Sequence, residues 1–366
     1  MRRNLSAYWC EGAGTALMLF IGVSAVAFMW APGSPVPPIG NAALRRLATG
    51  LLFAGGATAV VYSPLGQLSG GHINPAVTLA FWRLGKVPSR DALAYVAMQF
   101  LGAFAGAYAA GLAWGPLTTA VQYAATVPGD GYSSAGAFAA ETLITFLLVF
   151  TIVVCVNKPR IAPRTGLIAG ALVALLVMVE APVTGTSLNP ARTLGPAVLA
   201  STYRSLWVYF AGPAAGALLA VGAYRGQWGA QTVCAKLYHT EKYPCPFETC
   251  RYRLTAAGET VMAEGEPGDE AYVVERGRLE VRRRRDDQVV TLAHLGPGEW
   301  VGEMSLLLDE PRSADVVAVT ASQLRRVSRR DLGHVLAQDP ERTQELLRQL
   351  ARRIKAANDE RVTGSA

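Results

Sequence analysis

The chain has 366 residues, a formal net charge of +7, five cysteines and 51% hydrophobic residues. Residues 1–224 carry 12 Lys/Arg and 5 Asp/Glu, whereas residues 225–366 carry 22 of each. One soluble globular domain is thereby excluded: an almost uncharged part precedes a charge-rich, balanced tail, and the length allows two or three domains.

Six apolar runs lie at about 7–29, 42–63, 90–113, 135–156, 164–184 and 204–224. Each is near the ~20 residues that a helix needs to cross a hydrocarbon core of ~30 Å. Small residues recur in them, as at Gly102–Gly106 and Gly212–Gly216, and let membrane helices approach closely. The first run is not a secretory signal: it is too long for a signal core and contains Glu11. With the amino terminus inside, inner segments hold Arg2, Arg3, Arg83, Lys86, Arg90, Lys158, Arg160, Arg164 and Arg225. Outer segments hold Arg45, Arg46, Arg192 and Arg204. The excess of inner cations predicts an integral protein of the cell membrane with both termini in the cytoplasm.

Two polar stretches interrupt this apolar pattern, SGGHINPAVTLA (69–80) and TGTSLNPARTLGP (184–196). Asn74-Pro75-Ala76 returns as Asn189-Pro190-Ala191, 115 residues on. Pro suits a first helical turn and Asn suits the cap before it, so short helices are expected over about 75–84 and 190–200. Ten residues at a rise of about 1.5 Å span half a bilayer. Each copy stands after the second helix of a three-helix half, so the halves form an inverted repeat. The half-helices then enter from opposite faces and meet N-terminus to N-terminus. Two positive dipole ends repel a cation there, and the Asn74 and Asn189 amides donate hydrogen bonds to a neutral molecule at the pore centre.

These residues resemble the aquaporin/major intrinsic protein family over 1–224, with Gln99, Glu11 and Glu141 as further matches. The resemblance implies a homotetramer with one pore per subunit in the lipid bilayer. It implies that Glu11 and Glu141 hold carbonyls of the re-entrant loops, and that Arg192 is the outer constriction arginine. Counting back from the two asparagines gives a filter of Ala54, Val177, Thr186 and Arg192, wider and less polar than a water-strict one. Phe53, one position away, would restore an aromatic, and Thr193 stands where glycerol channels of the family carry Asp. Water and small neutral solutes such as glycerol, urea or metalloid hydroxides are the expected cargo.

From Tyr252 the chain turns to short β-rich segments punctuated by glycines, among them Gly265, Gly268 and Gly302, with helical runs at about 329–337 and 339–357. This predicts a cytoplasmic β-barrel of the jelly-roll kind flanked by helices. The stretch VGEMSLLLDEPRSADV (301–316) resembles the phosphate cassette of cyclic nucleotide-binding domains. Gly302, Glu303, Met304, Ser305, Arg312, Ser313 and Ala314 are its expected binding residues. Arg312 pairs with the phosphate, Glu303 accepts from the ribose 2′-hydroxyl and Ser313 adds a donor. Cyclic AMP is preferred over cyclic GMP as regulatory ligand. A barrel that kept the fold and lost the ligand is the plainer alternative. The Arg282–Arg285 run reads as a solvated hairpin, and no nucleic-acid partner is expected.

The whole is expected to divide into a channel (1–227), a Cys-rich linker (228–251) and a nucleotide-binding domain (252–366). The linker is expected to be a packed segment with free thiols; zinc on Cys234, His239, Cys245 and Cys250 is the alternative, since the spacing lacks a tight C-x2-C pair. No nucleophile with a placed base points to an enzyme. The expected function is a passive channel regulated by nucleotide, against the alternative of a membrane-tethered nucleotide receptor with a non-conducting or constitutive pore.

Overall fold

The computed structural model describes residues 4–158, 160–228, 234–240, 243, 245–247, 252–285, 288–329, 332–333, 336 and 340–363. Two compact units result, 1–249 and 250–366.

In the first unit the apolar runs become long helices: α1 (Leu5–Trp30), α2 (Ala42–Tyr62), α5 (Ser89–Trp114), α7 (Ser134–Asn157), α8 (Thr165–Thr184) and α10 (Val208–Trp228). All but α10 are long and apolar enough to cross a membrane by themselves. Helix α10 starts four residues later than expected, after positive-φ turns at Ser201 and Ser205. Between α2 and α5 lie the short α3 (Pro64–Ser69) and α4 (Pro75–Arg83); α6 (Pro116–Ala120) follows α5, and α9 (Pro190–Leu199) lies between α8 and α10.

The small residues of the sequence are the packing contacts. A Cβ at Gly102 or Gly106 of α5 would lie 2.1 Å from a backbone oxygen of α1, and one at Gly216 of α10 would lie 2.4 Å from Thr142 O of α7. Thus α1 packs on α5 as α7 packs on α10, the equivalent pair of the second half. Helix α4 leans on α10 and α9 on α5, so each short helix is braced by the opposite half.

The second unit is two four-stranded antiparallel sheets, not a closed barrel. Strands are β1 (Tyr252–Thr255), β2 (Thr260–Met262), β3 (Glu270–Arg276), β4 (Leu279–Arg285), β5 (Gln288–Leu295), β6 (Trp300–Val301), β7 (Asp315–Ala318) and β8 (Ser322–Ser328). Their orders are β1-β8-β3-β6 and β2-β7-β4-β5. The eight strands divide between two sheets that share a core of Val274, Leu279, Leu295, Val316 and Leu324, the double-sheet alternative to full closure. The arginine-rich β4 pairs with β5 as a hairpin, and Arg282 and Arg283 find Glu280 and Glu264. The cassette holds α11 (Glu303–Leu308), and α12 (Pro340–Thr363) lays Leu346 against Trp300, Leu306 and Val327. The expected helix at 329–337 falls largely outside the described residues.

Candidate functional site: a pore centre and a nucleotide cassette

Helices α4 and α9 open on Pro75 and Pro190, where no donor is lost. Asn74 Oδ1 caps α4 by accepting from Ala76 N at 2.8 Å; Asn189 Oδ1 caps α9 by accepting from Ala191 N at 3.0 Å and Arg192 N at 3.3 Å. The side-chain nitrogens cross over: Asn74 Nδ2 donates to Leu188 O and Asn189 Nδ2 to Ile73 O, each at 2.9 Å. The two helix ends are therefore tied face to face. One hydrogen of each amide nitrogen holds the opposite loop, and a second is left on each, since an amide nitrogen carries two.

The loops before the caps are bent: Ile73, Thr186 and Leu188 have φ of 42°, 55° and 55°. A β-branched residue in the left-handed region persists only where its surroundings fix it. Two buried carboxylates do so. Glu11 accepts from Ser69 Oγ, His72 N, Ile73 N and Gln99 Nε2 at 2.7–3.0 Å. Glu141 accepts from Thr184 Oγ1, Ser187 N and Leu188 N at 2.6–2.9 Å. The loops are thus held by their amides, not their carbonyls as expected, because a carboxylate only accepts. Sequence reasoning missed several partners. Tyr95 OH donates to Ser69 O at 2.6 Å and Tyr209 OH to Thr184 O at 2.8 Å. Ser69 and Thr184 stand 115 residues apart, the spacing of the two asparagines, so that spacing applied to the whole loop could have found them.

A cavity of about 490 Å³ passes this centre. Along α2 it is lined from Arg46 to Val61, about 22 Å at the helical rise. Ala54, Val177, Thr186 and Arg192 all line it, and so does Phe53. Arg192 is 7% exposed; its Nη1 donates to Ala124 O at 2.7 Å and its guanidinium carbon lies 5.1 Å from the Phe53 ring centre. The Phe53 ring is seated against Gly22, where a Cβ would come within 2.5 Å of it, so a glycine notch in α1 receives the aromatic. Thr186 Oγ1 donates to Glu180 Oε2 at 2.6 Å, a buried carboxylate that sequence reasoning passed over.

In the tail, Gly302 precedes α11 at φ 78°, and a Cβ there would lie 2.6 Å from Arg312 Nη1. Arg312 donates to Gly302 O at 2.9 Å and Glu270 O at 2.5 Å, which leaves three of its five N–H groups. Glu303 is 1% exposed; Arg353 of α12 pairs with its Oε1, while the buried Oε2 has no partner among the described residues. Burial pushes the Glu303 carboxyl above its ordinary value, against the pull of Arg353, and pushes the Arg312 guanidinium down. Ser305 and Ala314 are buried, whereas Met304 and Ser313 are exposed. Gly268 was missed as a site residue. A Cβ there would lie 2.5 Å from Ser305 Cβ and 3.0 Å from Arg312 Cζ, so only glycine lets β3's approach close on the pair.

The Cys-rich segment packs within the first unit. Cys234 is buried and accepts from Lys236 N at 3.5 Å; Cys245 is half-buried against the helical core. Among the described residues no three His, Cys, Asp or Glu side chains gather as for a metal, so Cys234, His239 and Cys245 do not form the alternative zinc set; Cys250 lies outside those residues.

A family model for major intrinsic proteins matches residues 2–224, and one for the cyclic nucleotide-binding domain matches 253–339. Aquaporin AqpM of Methanothermobacter thermautotrophicus is 39% identical over 235 residues, covering 59% of this chain and 94% of that protein. Aquaporin NIP3-1 of Oryza sativa subsp. japonica is 36% identical over 215 residues, or 58% of this chain, and the chain spans 65% of the rice protein's length. The X-ray structure of the aquaglyceroporin from Plasmodium falciparum shares the fold, with a TM-score of 0.52 and 23% identity over 60% of this chain and 95% of that one. Two capped half-helices tied end to end on buried carboxylates, with the matches to 2–224 and 253–339, place the chain in the major intrinsic protein family, the aquaporins, with a cyclic nucleotide-binding domain following the membrane unit.

Proposed function

We propose that the chain is a passive channel for water and small neutral solutes, regulated by a cyclic nucleotide bound to its tail. The observation that carries this is the reciprocal pair Asn74–Leu188 and Asn189–Ile73, which sets two helix N-termini against one cavity. Their dipoles disfavour cations, and the remaining amide hydrogens oblige a central water to turn its acceptor toward them, which interrupts a proton relay. Ala54, Val177 and Thr186 are small, and with the Phe53 ring as the aromatic beside Arg192 they form an opening that suits glycerol, urea or uncharged metalloid hydroxides as well as water. The cell membrane, cytoplasmic termini and a homotetramer complete this reading.

In the tail, the unpartnered Glu303 Oε2 and the three free N–H groups of Arg312 fit a ribose hydroxyl and a cyclic phosphate. Cyclic AMP is the first ligand to try. Regulation requires that nucleotide bind open and closed states unequally.

Stopped-flow shrinkage of proteoliposomes under an osmotic gradient tests the channel, with cyclic AMP and cyclic GMP titrated. Acceleration over empty vesicles without proton flux is expected. Shrinkage at the empty-vesicle rate at every nucleotide concentration would sink the reading.

A further inference from the structure

We propose that residues 234–240 and 245–247 form a plug seated in the mouth of the cavity, and that Leu237 is a constriction residue of the conduction path. This rests on the channel reading and adds a residue from outside the transmembrane helices to the pore.

The segment follows the last helix, yet it is buried as a core strand would be. Cys234, Ala235, Lys236, Leu237 and Phe247 are each 5% exposed or less. Leu237 lines the same cavity as Asn74, Asn189 and Arg192, at the end marked by Val61 and Ile152. Its amide donates to Gly70 O at 2.9 Å, and the Tyr238 ring meets Tyr62 at the end of α2, 4.8 Å between centroids. Next to it His72 Nε2 lies 2.7 Å from Ala235 O. A carbonyl can only accept, so Nε2 carries the proton, and Nδ1 of the neutral ring accepts from Thr78 Oγ1 at 3.1 Å. Phe247 stacks on the same imidazole, 6.0 Å between centroids. The loop that presents Asn74 is thus gripped on one side by Glu11 and on the other by this segment.

The buried lysine shows how the seat is made and how it could be left. Lys236 Nζ donates to Gln67 O at 2.7 Å and Tyr243 O at 3.2 Å. An ammonium group so far from solvent holds only where oxygens surround it. The seat is therefore a set of polar contacts to backbone oxygens around one leucine, which water can replace when the segment lifts. The inverted half has no such seat: Ser187 stands 115 residues after His72 and turns its hydroxyl to Thr193 and Asn189 O. In the sequence only four residues, 248–251, separate the segment from β1.

Full-length protein in proteoliposomes is compared with Leu237→Ala and with Lys236→Ala/Leu237→Ala by osmotic shrinkage. The expected result is slow shrinkage of the unmodified chain and about tenfold faster shrinkage of the double variant, a shift of one decade in the seated population. Adding Ala54→Trp, at the filter about two helical turns from Val61, is expected to abolish the gain. Equal, fast shrinkage of all chains lacking Ala54→Trp, stopped by Ala54→Trp, overturns the plug and leaves the channel reading standing. If neither unmodified nor double-variant protein conducts while eluting normally from gel filtration, the channel reading falls and the plug with it. A second measurement reads the seat without flux: maleimide modification of Cys234 in full-length protein whose other cysteines are serine. Modification is expected to be about tenfold faster in the double variant; the same slow rate in both chains overturns the proposal.

Discussion

Among the described residues three glutamates are no more than 1% exposed, Glu11 and Glu141 in the membrane unit and Glu303 in the tail, and they are treated differently. Glu11 meets four donors and Glu141 three, with both oxygens of each occupied. Glu303 has an arginine on one oxygen and, among the described residues, no partner on the other. A buried carboxylate with donors on both oxygens is a fastener. One with a vacant, desolvated oxygen carries an unmet cost that a hydroxyl from outside can relieve. The same contrast separates structural from binding charge in both units without reference to any ligand.

The sharpest way to break that comparison is to remove the fasteners. Glu11→Ala leaves Ser69, His72, Ile73 and Gln99 donors buried without an acceptor, and is expected to cost about 3–5 kcal/mol. Glu141→Ala should cost less, because the single Thr184 hydroxyl hydrogen can turn to Glu180 Oε1, 2.5 Å away. Thermal unfolding in detergent, followed by shrinkage assays on whatever folds, checks both. If Glu303→Ala destabilised the chain as much as Glu11→Ala, the distinction between fastener and binding group would be lost.

The tail supplies the next effect. Arg312→Ala removes the charge that faces a phosphate, and cyclic nucleotide affinity should fall tenfold or more, at least about 1.4 kcal/mol. Glu303→Ala should weaken binding by about as much. Calorimetry on the full-length protein in detergent reads both. Unchanged affinity in Arg312→Ala would favour a domain that kept its sheets and binds nucleotide elsewhere or not at all.

Much of this was legible in the sequence because membrane helices and helix caps are local. Hydropathy gave the long helices to within a few residues, and Asn-Pro gave both half-helices, since capping depends on neighbours in the chain. The cassette, too, is one continuous stretch. What escaped was non-local. Tyr95 and Tyr209 act on carbonyls more than twenty residues away, and Gly268 matters only because β3's approach brings it to Ser305 and Arg312. The linker was legible as a packed segment, but which residues it packs was not: Ala235, Lys236 and Leu237 meet His72, Gln67 and the cavity, all distant in sequence.

A smaller effect is expected at the filter, where no buried charge is disturbed. Ala54→Phe with Val177→His narrows the opening beside Arg192, and should lower glycerol or urea flux about tenfold while sparing water, as a pocket made smaller by a few carbons discriminates. Gly22→Ala offers a complementary route, because it displaces the Phe53 ring from its notch toward the cavity. Parallel loss of water and solute flux would mean that the path had been blocked and not narrowed.

The smallest expected effect is a pH dependence, and it tests the vacant oxygen directly. Burial holds the Glu303 carboxyl above its ordinary value of 4.5. A group raised in the folded state adds stability that is full below its unfolded value and is lost as pH rises through the folded one. A nucleotide hydroxyl donating to Oε2 stabilises the carboxylate and draws that value back down. Binding then releases a proton, so affinity should rise with pH across the interval above 4.5 in which the free domain still holds it. Glu303→Gln cannot ionise, and its weaker affinity should be flat over the same interval. Calorimetry in two buffers of different ionisation enthalpy would count the proton released by the unmodified chain. A flat profile for the unmodified chain, with no buffer dependence, would mean that the ligand does not reach Oε2 and that Glu303 is a fastener like the other two.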